Sequence, residues 1–140
     1  MQERYSVSTS TLKIDRARVH FWLSELSYWA KGRTRQTQDA AIDASRNYGI
    51  YDNETGTQEQ VAYARVITDG VTFAWLCDVF VATQSRGHGL GKMLTAAVVD
   101  DLEPLGLKRI LLSTGDAHGL YAQYGFAPLE EPNTMMARVR

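Results

Sequence analysis

Apolar and polar positions along this chain switch between a period of two and a period near 3.6, and each switch marks an element. Tyr5 and Val7 alternate with Ser6 and Ser8, which predicts a short first strand. Asp15 is suited to capping a helix N-terminus. After it, Val19, Trp22, Leu23, Leu26 and Trp29 fall at helical spacing, with Gly32 as the expected stop. Thr34 is the expected cap of a second helix, with Ala41, Ile42, Ala44 and Ser45 on its inner face. The period then returns to two. Residues 48–51 and 61–68 are expected strands, separated by a turn at 52–56. Asp69-Gly70 is a two-residue hairpin signal. Residues 71–81 form the longest candidate strand, apolar on both faces, so a central strand covered on both sides is expected.

A glycine-rich run follows, and then Leu90, Met93, Leu94, Ala97, Val98 and Leu102 recur at helical spacing up to Pro104. Residues 108–113 read as a strand and 117–124 as a short helix stopped by Gly125; strands are expected at 126–129 and 135–139. The order β-α-α-β-β-β-α-β-α-β-β predicts an α/β (α+β) fold, a mixed sheet with helices on both faces.

Length and composition narrow the function classes. A chain of 140 residues, 44% hydrophobic, is expected to be one domain spanning 1–140. A net charge of −1 gives no basic field for nucleic acid or an anionic membrane. The single cysteine, Cys77, excludes an intrachain disulfide and a thiolate metal cluster, and reads as a small core hydrophobe. No His or carboxylate spacing suggests a metal site. No apolar stretch approaches the ~20 residues of a spanning helix. The polar N-terminus does not resemble a signal peptide, so a soluble cytoplasmic protein is expected.

The glycine run carries the candidate chemistry. Gly87, Gly89 and Gly91 allow a tight turn whose backbone N–H groups point inward at a helix start, an anion site to which Arg86 and Lys92 add charge. A pyrophosphate is the expected guest; the alternative is a loop that only turns strand into helix. The spacing is not the G-x-G-x-x-G of dinucleotide folds, and Met93 after Lys92 with Arg86 upstream does not make a P-loop. Arg-x-x-Gly-x-Gly, filled by Arg86, Gly89 and Gly91, resembles the coenzyme A loop of the GNAT N-acetyltransferases. Leu120-Tyr121-Ala122-Gln123-Tyr124-Gly125-Phe126 is similar to that family's Leu-Tyr-x-x-x-Gly-Phe signature. One helix and one strand separate the two motifs, as in the family.

The resemblance implies a mostly antiparallel sheet of six or seven strands with about four helices, splayed at the central strand. It implies acetyl-CoA as cofactor, with Phe80 and Val81 pairing with the pantetheine. Arg86, Gly87, His88, Gly89, Leu90, Gly91 and Lys92 would surround the pyrophosphate, and Tyr121 would lie near the sulfur. Thr114 stands where many members have a cofactor-contacting Asn and offers a hydroxyl instead. The implied activity is acetyl transfer to a primary amine in a ternary complex; a non-catalytic acyl-CoA-binding or sensor domain is the alternative. The acceptor would be a small amine or a peptide amine. Pairing of the C-terminal edge would make a homodimer.

Such a transfer needs a deprotonated amine, a donor to the carbonyl oxygen and a proton for the departing thiolate. Tyr121 is the candidate acid, against a packing role; Tyr124 reads as core. A backbone N–H near Phe80 or Val81 would serve the oxyanion. Asp78, alone among charges in its apolar strand, is the candidate base, its pKa raised by burial. It is otherwise a partner of an Arg or a backbone donor, or a binder of the acceptor's ammonium. His118 and Asp116 are placed on the acceptor side, and His88 in a supporting or solvent role. Trp22, Tyr28, Trp29 and Arg33 could wall the acceptor site, although Trp22 and Trp29 also fit a core stripe.

Overall fold

Among the described residues, five strands pair in chain order into one sheet: β1 (Tyr5–Ser8), β2 (Arg46–Asp52), β3 (Glu59–Thr68), β4 (Phe73–Val81) and β5 (Arg109–Leu112). The first three pairings are antiparallel and β4–β5 is parallel. The structure is a computed structural model and describes residues 3–140, so Met1 and Gln2 of the expected domain lie outside the described residues.

Helices cover both faces. Tyr48 of β2 reaches one face, where its hydroxyl donates to Asp101 of α3 (Leu90–Leu102) at 2.6 Å. Its neighbour Asn47 points to the other face and donates to the Ile42 carbonyl of α2 (Arg35–Asp43) at 2.9 Å. α1 (Arg16–Phe21) shares that second face through the turn after it, where Trp22 stacks on Phe80 of β4 with centroids 5.5 Å apart. The expected caps are present. The Asp15 carboxylate accepts from Arg18 N–H at 3.1 Å and the Thr34 hydroxyl from Thr37 N–H at 3.2 Å, each contributing ~1 kcal/mol.

The structure departs from the expected pattern in five places. The first helix stops early: α1 passes into a π turn at Trp22–Leu26, Ser27 is extended, and Trp29 lies beyond the helix. Widening the turn by one residue ends the 3.6 period that placed Trp29 on a core stripe. On α2 the buried residues are Gln38 and Ile42, and Ala44 is exposed. β4 is not buried throughout: Ala74, Leu76, Asp78 and Phe80 are buried, whereas Trp75, Cys77, Val79 and Val81 are half-exposed. The doubly covered strands are β2 and β3. The β3–β4 connection is longer than a two-residue hairpin, because Asp69 accepts from the N–H groups of Val71 and Thr72 and so builds a wider loop.

The fifth departure is at the C-terminus. No strand forms at 126–129 or 135–139; the segment holds one 3-10 turn, Pro132–Thr134, and Met136 is 95% exposed. Pro128 and Pro132 withdraw ladder donors there. Among the described residues the sheet therefore has five strands rather than six or seven, and the edge expected to pair two subunits is not a strand. Tyr124 is half-buried and lies outside the core, whereas Tyr121 and Phe126 pack edge to face at 5.9 Å.

Candidate active site

The site forms where β4 and β5 part. Their pairing runs from Phe73–Arg109 to Leu76–Leu112; β5 ends there, while β4 continues to Val81. Among the described residues, no strand lies beside that edge of β4 from Cys77 onward. A cleft of about 640 Å³ opens at this divergence. β4 lines it from Trp75 to Val81, together with Thr114 and Tyr121.

A bulge shapes this stretch of β4. Tyr63 pairs with Phe80 and Arg65 with Cys77, so β4 carries an extra residue in that interval. Asp78 sits in it with φ +53°, a left-handed conformation uncommon for a residue with a side chain. The bulge turns Asp78 into a cluster drawn from β4, β3 and the segment between the π turn and α2. Its Oδ2 accepts from Arg33 Nη1 at 2.7 Å and from Arg65 Nε at 2.9 Å. Its Oδ1 accepts from Trp29 Nε1 at 3.0 Å. Asp78 is 4% exposed. Burial alone would raise its pKa, but hydrogen bonds and charge from Arg33 and Arg65 outweigh it, and the carboxyl lies below its ordinary value. This reverses the expected upward shift: an Asp paired with arginines is what the chain builds.

Trp29 reaches Asp78 from outside any helix and is 42% exposed, so it is a cleft wall rather than core; Trp22, 5% exposed, is core. Tyr28 packs edge to face on Trp29 at 4.9 Å, and its hydroxyl accepts the Gly115 N–H at 3.1 Å. That bond ties the segment after the π turn to the segment after β5. Cys77 also lines the cleft, half-buried, its thiol pushed up to about 11 by burial.

The glycine loop adjoins the cleft through a second depression of about 470 Å³, lined by Arg86, Gly87, Gly89, Gly91 and Lys92 among others. Gly87 (φ +87°) and Gly89 (φ +74°) take conformations that disfavour any side chain. Gly89 is the N-cap of α3 and supplies no side chain, so the N–H groups of the first turn are left for a ligand. A Cβ on Gly91 would stand 3.3 Å from Leu120 Cδ2, at the seam between loop and cleft. Backbone donors, a helix N-terminus and the cations Arg86 and Lys92 fit a pyrophosphate, and the open edge of β4 fits a chain bearing amides. Arg86 itself folds back: its Nε donates to the Val81 carbonyl at 3.1 Å, and its guanidinium lies over the Phe80 ring at 5.4 Å.

The expected site residues therefore divide. Asp78, Val81, Arg86, Gly91, Thr114, Tyr121 and Trp29 share the main cleft, as does Phe80. Leu90 gives only its backbone to the loop, since its side chain is in the core. His88 is exposed and packs near the Tyr5 ring at 5.9 Å, outside both depressions. His118 is exposed on α4 (His118–Ala122) and likewise lines neither depression. The Thr114 hydroxyl accepts from Ala117 N–H at 3.0 Å and caps the turn into α4. Tyr121 is 7% exposed; burial, then the Asp116 charge, raises its pKa, so the phenol keeps its proton at neutral pH. Arg65 is the site residue that sequence reasoning missed. Its only signal is a single cation within the otherwise uncharged run from Gln60 to Thr68.

Comparison with known proteins agrees with this geometry. The model of the acetyltransferase (GNAT) family matches residues 15–126. A candidate acetyltransferase of that family from Xanthomonas campestris pv. campestris is 41% identical; the match covers 100% of this chain and 96% of that one, with a TM-score of 0.91. A candidate acetyltransferase from Gibberella zeae is 31% identical over 137 residues, covering 85% of this chain and 76% of that protein. A GNAT family acetyltransferase from Elizabethkingia anophelis, solved with acetyl-CoA bound, shares the fold at 16% identity and a TM-score of 0.67, over 92% of this chain and 80% of that one.

Proposed function

This chain belongs to the GNAT acetyltransferase family, and from that premise we propose that it moves an acetyl group from acetyl-CoA to a primary amine by direct attack in a ternary complex. The observation that carries the reading is the cleft between β4 and β5, which runs into the glycine loop and holds a protonated Tyr121. When bound, acetyl-CoA supplies a thioester: its C–S bond breaks as the amine nitrogen forms the new C–N bond, the amine gives up a proton, and the sulfur gains one.

The residues divide that work. Backbone N–H groups of the loop and the first turn of α3 hold the pyrophosphate, with Arg86 and Lys92 adding charge. The open edge of β4 at Phe80 and Val81 pairs with the pantetheine amides and turns an N–H toward the carbonyl oxygen. Engaging those groups frees Val81 O from Arg86, whose guanidinium then becomes available to phosphate. Tyr121 donates its proton to the leaving sulfur and is reprotonated from solvent. Asp78, held by three donors, is a poor proton acceptor; it fixes Trp29, Arg33 and Arg65 as the acceptor wall, and the amine loses its proton to water.

Tyr121→Phe tests the assignment. Thiol release from acetyl-CoA is expected to fall by roughly 100-fold, with affinity for CoA unchanged. A variant as fast as the parent would remove Tyr121 as the acid.

A further inference from the structure

The acceptor end of the cleft carries an excess of positive charge that the cluster does not neutralise. Three ionised side chains meet there: Arg33 after the π turn, Arg65 on β3 and Asp78 on β4. Two guanidinium groups face one carboxylate. Arg33 Nη1 also donates to Gln38 Oε1 at 2.9 Å, and Arg65 Nη1 to Ser45 Oγ at 3.1 Å. Among the described residues, no acceptor takes the Nε or Nη2 of Arg33 or the Nη2 of Arg65. Both arginines line the cleft, with side chains only 21% and 11% exposed. These donors are not among the buried unpartnered atoms, so they open onto the cleft, where an anion that enters can take them in charge-assisted hydrogen bonds.

We propose that the acceptor is an amine bearing a carboxylate, recognised by the guanidinium pair of Arg33 and Arg65 next to Asp78. The proposal rests on the acetyl-transfer reading above and adds the substrate class. A carboxylate suits the unused guanidinium edges because two parallel N–H groups match its two oxygens. Asp78 already shows a carboxylate held by this pair. With its anion anchored there, the amine extends toward Phe80 and Tyr121, and Trp29 and Tyr28 pack on an apolar spacer. The same two cations disfavour an ammonium in the cleft and so favour the neutral, nucleophilic amine. A purely cationic acceptor would find, among the described residues, one carboxylate on the lining without an ion-pair partner, the exposed Asp116.

Isosteric probes without an amine test the recognition separately from catalysis. The protein is first saturated with CoA, then titrated by calorimetry with 3-phenylpropionate or 3-phenylpropionamide. The acid is expected to bind at least tenfold more tightly than the amide, with an affinity that falls as salt is raised. Arg33→Gln, at the more exposed arginine, is expected to erase that preference while leaving CoA affinity unchanged. In turnover with acetyl-CoA, 4-aminobutyrate is expected to exceed 4-aminobutyramide in kcat/KM by a similar factor. Equal or tighter binding of the amide, or binding of neither probe, overturns the proposal, and this comparison needs no variant. A preference that survives in Arg33→Gln overturns the role given to the arginine pair. Failure to bind CoA in the first step is failure of the acetyl-transfer reading, seen before either probe is added, and it removes the proposal with its premise.

Discussion

Asp78→Asn removes one charge and almost no volume from the cluster under the cleft. The carboxylate now accepts three hydrogen bonds, from Arg33, Arg65 and Trp29. An amide has one acceptor oxygen, and its NH2 must face one of those donors whichever way it is turned. Two guanidinium groups would lose their buried counter-ion. Breaking a buried pair by removing one partner costs about 3–5 kcal/mol, because the remaining charge is left uncompensated. At about 3 °C per kcal/mol for a chain this long, Tm should fall by roughly 10 °C or more at pH 7. The pH dependence provides an internal control. The Asp78 pKa is lower in the folded state than in the unfolded chain, so its stabilisation is fully present above the unfolded value near ~3.9 and is lost as pH falls through the folded value. Thermal unfolding of parent and variant followed from pH 8 to pH 3 should therefore show a wide gap in Tm that begins to narrow only at the acid end. A gap below about 2 °C at pH 7, or one that is constant down to pH 3, would refute the claim that the ionised carboxylate holds this cluster.

Two other substitutions separate loop from wall. Gly91→Val places two methyl groups beyond a Cβ that would stand 3.3 Å from Leu120; calorimetry should show CoA affinity lowered at least about tenfold (~1.4 kcal/mol), while the helix gain of valine over glycine offsets part of an overpacking cost of about 1–3 kcal/mol, so Tm should fall by less than about 10 °C. Tyr28→Phe removes the acceptor of the Gly115 N–H; at this exposed site stability should change by less than about 0.5 kcal/mol, while the KM for the acceptor rises and CoA affinity stays constant, as steady-state kinetics would show.

How far the sequence reached depended on whether an element is set by neighbours or by distant partners. The β4–loop–α3 unit was legible because its signals are local: an apolar strand, glycines where φ must be positive, then a helical stripe from Leu90 to Leu102. The caps at Asp15 and Thr34 were legible for the same reason. Trp29 was expected both on the acceptor wall and on a helical core stripe; the stripe failed because a π turn leaves no mark in a count of helical spacings, and its partner, Asp78, lies far along the chain. Asp78 stood out as a charge in an apolar strand, but the direction of its pKa depended on Arg33 and Arg65, which only the fold brings near. The covering of β2 and β3 on both faces was hidden by Asn47, Gln60 and Gly49, polar or small residues that the structure buries. The strands expected at 126–129 and 135–139 found no partner, and Pro128 and Pro132 withdraw donors from that segment.

Calorimetric titration with acetyl-CoA, of the parent chain beside Gly89→Asp, tests the central claim most directly. At Gly89 a side chain would be forced to φ +74° and would bring a carboxylate to the expected phosphate position. The expected result is saturable binding by the parent that is lost in a variant still folded by circular dichroism. No binding by the parent, or equal binding by both proteins, would contradict the assignment of the glycine loop as the coenzyme A site.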